Sequence, residues 1–198
     1  MENLYVYVLI ILVIGVSWKM YCEMDYFQLK CILADENGET YCVRERGAIK
    51  TEKAANLLAG CVEKCKKLIG YLNENNGSDV RVVRLVKRFN PKRVSETLPT
   101  STLTAYSENK GEKLAICLNK KKSEKAGLID ENTLFFVAMH ELAHISSDTI
   151  GHKQEFWKNF KFLLVHAKKA GLYEPVDYKN SNQEFCGMSI TDNPYYDV

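Results

Sequence analysis

The sequence predicts an α+β domain behind an apolar N-terminal helix, and three observations carry that prediction. An uncharged apolar run, Leu4–Trp18, opens the chain. Two hairpin signals follow, each a pair of short apolar strands around a turn holding Asn and Gly. Helical apolar periods lie between and after them. A length of 198 residues suits one medium domain with an appendage, and can bury a core without disulfide staples. The expected division is residues 1–20 as an anchor and residues 21–198 as the folded domain.

The run Leu4–Trp18 is short of the roughly 17–25 residues that cross a bilayer. Extension to Met20 brings it into range, with Lys19 snorkelling to the interface. A single-pass transmembrane helix is the preferred reading. A signal peptide would want a basic start and a small-residue cleavage site, whereas the chain begins Met-Glu-Asn. A buried core helix would more often show a polar stripe. Lys19 and Lys30 follow the run and no Lys or Arg precedes it, which places the folded domain on the cytoplasmic side.

Gln28–Ala34 and Glu39–Glu45 flank Asp35-Glu36-Asn37-Gly38, the first hairpin. With Asn37-Gly38 as a two-residue turn, Cys31 faces Arg44 and Cys42 faces Leu33. A helix capped by Thr51 runs to about Asn73 on the period Ala54, Leu57, Leu58, Cys61, Val62, Cys65, Leu68, Ile69, Leu72. Val80–Phe89 reads equally as helix or strand. Pro91 and Pro99 bound an irregular stretch. Thr102–Ser107 and Glu112–Leu118 form the second hairpin around Asn109-Lys110-Gly111. Lys120, Lys121, Lys122 and Lys125 read as a solvated basic loop. Helices are expected from Asp130 to about Ser147 and from His152 to Ala170, the latter ended by Gly171. The tail from Leu172 to Val198 is polar and aromatic.

The seven cysteines have an odd count and irregular spacing with no CxxC pair, so reduced structural thiols are expected, as in a cytosol-facing domain. Twenty-seven basic against 25 acidic residues leave a net charge of +2, which does not mark a polyanion binder.

Chemistry concentrates in His140-Glu141-Leu142-Ala143-His144, an HExxH motif. Residues i and i+4 share a helix face, so His140 and His144 can hold one zinc ion. Glu141, turned about 100° away, can take a proton from a water that such an ion acidifies. Leu134, Ala138, Leu142 and Ile145 form a separate apolar stripe, so the motif lies on a helix built for burial. A catalytic site needs a third ligand. Among the four histidines, His152 is expected to fill that role, ahead of the carboxylates Glu155 or Asp148. His166 reads as a core-edge histidine. Phe156, Phe160, Leu163, Leu164 and Ala167 read as a packing stripe. Trp157 and Phe162 are left facing the membrane side or the core.

The run from His140 through Gly151-His152-Lys153-Gln154-Glu155-Phe156-Trp157 resembles the WLM and SprT-like zinc metallopeptidases. Together with Thr104–Leu118, it looks most like WLM-domain proteins of large nucleocytoplasmic DNA viruses. The resemblance covers about residues 30–190. It implies a minimal zincin-like fold with a small antiparallel sheet, Zn²⁺ held by His140, His144 and His152, and Glu141 as catalytic base. It implies peptide-bond hydrolysis of a protein or peptide substrate. Cellular members cleave proteins crosslinked to DNA. These residues carry no zinc-ribbon pair and no obvious DNA-binding tail, so nucleic acid is a minor expected partner. In zincins an edge strand holds the substrate backbone; Lys113–Leu118 is the expected strand. Tyr106, Tyr173 and Tyr178 are candidates for stabilising an oxyanion. The alternative expectation is a virion- or membrane-associated structural protein, bound to virion proteins, that keeps a zincin fold with little or no activity.

Overall fold

The structure is a computed structural model that describes residues 2–23, 28–121 and 127–197. The side chain of Cys22 and the loop lysines Lys122 and Lys125 lie outside the described residues. The N-terminal run forms α1 (Glu2–Glu23). Its window Leu4–Tyr21 is long and apolar enough to cross a membrane, and none of it is buried against the rest of the chain. A soluble core helix would be covered, so the core reading fails.

Strands β1 (Lys30–Leu33) and β2 (Thr40–Val43) form the first hairpin. Their register pairs Cys31 with Cys42 and Leu33 with Thr40. The expected two-residue turn is replaced by a four-residue loop, closed by Ala34 N–H to Glu39 O (2.9 Å) and Gly38 N–H to Ala34 O (2.9 Å). The loop is longer because its polar groups dock on the next helix. Asn56 Oδ1 accepts from Asp35 N–H (2.8 Å), and Asn37 Nδ2 donates to Glu63 (3.0 Å). The slip of two residues keeps every side chain on its face but brings the two cysteines opposite one another, where they form a disulfide. A second disulfide joins Cys117 to Cys186, while Cys61 and Cys65 are buried thiols. The expectation of uniformly reduced cysteines is therefore corrected, and the cysteines no longer speak for a cytosol-facing domain.

Helix α2 (Ala48–Asn76) starts and ends about a turn beyond the expected limits. Gly47, at φ 83°, stands at its N-cap. Thr51 lies inside the first turn rather than capping it, donating to Gly47 O (2.8 Å) and accepting from Arg46 N–H (2.9 Å). The undecided segment is helix α3 (Val80–Arg88), capped by Asp79, whose side chain accepts from Arg81 N–H. Valine-rich segments favour strands. Here the cap and the burial of Val82 and Leu85 against neighbouring helices prevail.

The stretch between Pro91 and Pro99 contains β3 (Val94–Glu96), fully buried. With β4 (Ala105–Glu108) and β5 (Lys113–Ile116) it builds a three-stranded sheet ordered β3-β5-β4. β3 runs parallel to β5 and β4 antiparallel, so the central sheet is mixed rather than purely antiparallel. β3 is too short and polar to show a period. It is held in place by Glu96, whose carboxylate accepts from Arg44 N–H (2.8 Å) and from the Arg46 guanidinium, with Arg44 Nε on Thr97 O (2.8 Å). A carboxylate buried this deeply is tolerable only with such partners.

Two helices complete the domain, α4 (Glu131–Ser146) and α5 (Gln154–Lys169). Asp130 caps α4 by accepting from Thr133 N–H (2.9 Å). α5 ends as expected at Gly171 (φ 68°), with Leu172 N–H to Ala167 O (2.9 Å) and Gly171 N–H to Lys168 O (3.0 Å), a Schellman motif. Its start differs: His152 precedes the helix, and Lys153 occupies the N-cap. The tail forms β6 (Gln183–Phe185) and β7 (Met188–Ile190), pinned to the end of β5 by the Cys117–Cys186 bond and by Cys186 N–H to Asn119 O (2.8 Å). α4 lies at the centre, against α2, α3, α5 and β4. Leu134, Ala138, Leu142 and Ile145 are fully buried. The described domain is thus a mixed α+β fold with small sheets, and α4 carries the motif.

Candidate metal centre

Burial of one face of α4 leaves His140 and His144 on its other edge, half-exposed and a turn apart. The chain leaves α4 at Ser147, turns at Gly151 (φ 77°) and returns His152 to the same place. His152 Nε2 lies 3.1 Å from His140 Nε2 and 3.2 Å from His144 Nε2. Two nitrogens at zinc-bond length in a tetrahedron stand about 3.3 Å apart. The three rings therefore have the spacing of a tridentate site, and together they could hold a metal ion.

Phe156, fully buried on the first turn of α5, forms the floor. Its ring centroid is 4.8, 4.3 and 4.6 Å from those of His140, His144 and His152. The packing stripe is as expected, since Phe160, Leu163, Leu164 and Ala167 are also buried. Phe156 additionally orients the imidazoles. Trp157 lies beside His152, and its indole N–H donates to His152 O (3.1 Å). Phe162 packs against His166 and under the Arg81 guanidinium.

The alternative ligands are engaged elsewhere. Glu155 accepts from the backbone N–H of Asp148 (3.1 Å) and Thr149 (3.0 Å), and Asp148 pairs with Arg84 and Arg88. His166 contacts Phe162 O (2.8 Å) away from the cluster, in keeping with a core-edge residue.

Burial, then the charges of His144 and His152, pulls His140 down to about 3. Burial, then His152 and Lys110, pulls His144 down to about 4. Both imidazoles are therefore neutral near pH 7, the form that offers a lone pair to a metal. Glu141 is 5% exposed, and burial pushes its carboxyl up to about 7.

A cleft of about 500 Å³ opens above the cluster. His140, Glu141, His144 and His152 line one side, and Ala105, Tyr106 and Ser107 of β4 the other. The strand expected there, Lys113–Leu118, is instead the middle strand, paired on both sides. Among the described residues, the edge strand of this sheet beside the histidine cluster is β4. Among the tyrosines, Tyr106 lines the cleft. Tyr173 and Tyr178 are buried against Phe136, with Tyr173 OH accepting from Asn193 (2.9 Å), and neither lines the cleft. Lys110, not singled out from the sequence, also lines the cleft. Its position in a turn was visible, but its bonds were not.

The chain is 27% identical over 190 residues to an uncharacterized protein of Acanthamoeba polyphaga mimivirus, covering 93% of this chain and 91% of that one. It is 43% identical over 70 residues to an uncharacterized protein of Invertebrate iridescent virus 6, covering 35% of this chain and 39% of that one. A protein of Invertebrate iridescent virus 3, also uncharacterized, matches at 37% over 71 residues, 36% of this chain and 43% of that one. No family model matches the sequence. No solved structure matches it either.

Proposed function

We propose that the chain is a zinc-dependent metallopeptidase of WLM/SprT-like type with a minimal zincin-like fold, held at a membrane by α1. The observation that carries this reading is the convergence of three imidazole Nε2 atoms beside a buried glutamate under an open cleft. Three histidines suit zinc in a site that keeps a position for reactants. His140, His144 and His152 would hold the ion, which would supply Lewis acidity towards water and a substrate carbonyl.

The chain's residues supply the rest. Glu141 borders the histidines without being needed as a ligand, so its carboxylate can accept the water's proton and pass it to the leaving amine. The free edge of β4 can bind an extended peptide by strand addition. Exposed Leu103 and Ile150 on the cleft's walls offer apolar contact to the substrate's side chains. Tyr106 is the candidate to face the negative charge that builds on the carbonyl oxygen.

The test is the full chain purified in detergent without chelator. One zinc per chain and hydrolysis of an unfolded protein substrate are expected. Glu141→Gln should keep the zinc and lose about 10²–10⁴-fold in rate. Wild-type protein free of zinc would sink the reading. Added single- or double-stranded DNA should leave the rate unchanged; strong stimulation would favour a DNA-linked protease. The exposed α1 and the viral relatives also fit a second reading, a membrane- or virion-associated structural protein that retains the metal site. Glu141→Gln that leaves biological function intact would favour it.

A further inference from the structure

His152 is delivered by a loop, and loops ordinarily move more than the elements they join. This loop is unusual in how its backbone is held. Five successive carbonyls, Ile145 to Thr149, each accept a hydrogen bond from a cationic side chain of another element. Arg88 Nη1 donates to Ile145 O (3.0 Å) and Arg84 Nη1 to Ser146 O (3.2 Å), both from α3. Lys110 Nζ, from the β4–β5 turn, donates to Ser147 O (2.9 Å), Asp148 O (3.2 Å) and Thr149 O (2.9 Å). The adjoining amides of Asp148 and Thr149 are held by Glu155. Arg84 and Arg88 also pair with the Asp148 carboxylate.

An ammonium has three N–H donors. The loop carbonyls use all three of Lys110, so this cation is not left to bind an anionic ligand in the cleft. The turn that carries it is itself fixed. A Cβ on Gly111 (φ 109°) would come within 2.8 Å of Arg88 O and 3.0 Å of Ile145 Cγ2.

We propose that Lys110, assisted by Arg84 and Arg88, is the positioning residue for the third ligand, a latch that presets His152 against His140 and His144 before any metal arrives. The latch rests on the metal-centre reading above. Its physical role is preorganisation: the ordering cost of the loop is met on folding, so it does not weaken metal binding. It also ties β4, one wall of the cleft, to the loop that forms the other.

The experiment titrates the metal-free full chain in detergent with Zn²⁺ against a competing chelator, and with Co²⁺ for its visible spectrum. Lys110→Met keeps the stem and removes the donors. It should bind Zn²⁺ about 10–100-fold more weakly, with fainter Co²⁺ bands and unchanged circular dichroism, and Lys110→Arg should recover most of the affinity. If Lys110→Met does not fold, Arg84→Met decides, with a smaller loss expected. Wild-type affinity and spectrum in whichever variant folds overturn the latch. In the metal-free wild type, the amides of Asp148 and Thr149 should resist hydrogen exchange; free exchange there overturns it without any variant. A wild-type chain that binds neither Zn²⁺ nor Co²⁺ overturns the metal centre itself, and the latch with it.

Discussion

In the proposed metal centre Glu141 and the three histidines have different roles, and substitution should separate them. Removing His152 leaves two imidazoles on one helix, a much weaker chelate; His152→Ala should reduce zinc content measured after gel filtration to a small fraction of one per chain. Phe156 touches all three rings from below. Phe156→Ala opens a cavity under them and should cost about 3–5 kcal/mol by denaturant titration, together with metal affinity. Glu155 sets an acid limit. The backbone N–H groups of Thr149, then Asp148, hold its carboxyl down at about 2, against an ordinary value of 4.5. A depressed carboxylate contributes stability that is complete above its unfolded pKa and is lost as pH falls towards its folded one. Stability should therefore decline between about pH 5 and pH 2, and Glu155→Gln should flatten that limb in urea titrations at several pH values.

The elements around α4 are joined by contacts between residues far apart in the chain. The Cys117–Cys186 bond spans a sequence separation of 69 and fastens the β6–β7 tail to the end of β5. Closing a loop that long constrains the unfolded chain, so Cys186→Ser should cost about 2–5 kcal/mol. Thermal unfolding with and without reductant checks this: reduction opens both disulfides, so the difference between wild type and variant should vanish when both are reduced. The register of β1 and β2 shows why such pairings are hard to read in advance. The Asn-Gly signal was legible as a turn, but the length of its loop depended on Asn56 and Glu63 of α2. β3 was illegible for a similar reason, because its partners Arg44 and Arg46 lie about 50 residues away. α4 and α5, by contrast, were legible nearly to their ends, because caps and apolar period are local properties.

On the scale of the whole molecule, an exposed apolar helix precedes a domain whose cleft carries the three-histidine cluster. A chain lacking residues 2–21 should move from the membrane pellet to the supernatant in carbonate extraction. It should still bind one zinc, because none of the Leu4–Tyr21 window is buried against the domain. Retention of the shortened chain in the pellet would indicate a second membrane contact.

The sequence by itself determined the α+β class, the apolar N-terminal helix, the HExxH helix and the choice of His152 over His166. Each follows from composition, spacing or a helix period within one stretch of chain. Only the tertiary structure decided which strand edge faces the cleft, which cysteines pair and what holds the loop before His152. Those depend on groups such as Lys110, Arg84 and Glu155 meeting across the fold, and hydrogen bonds between separate elements leave no period in the sequence.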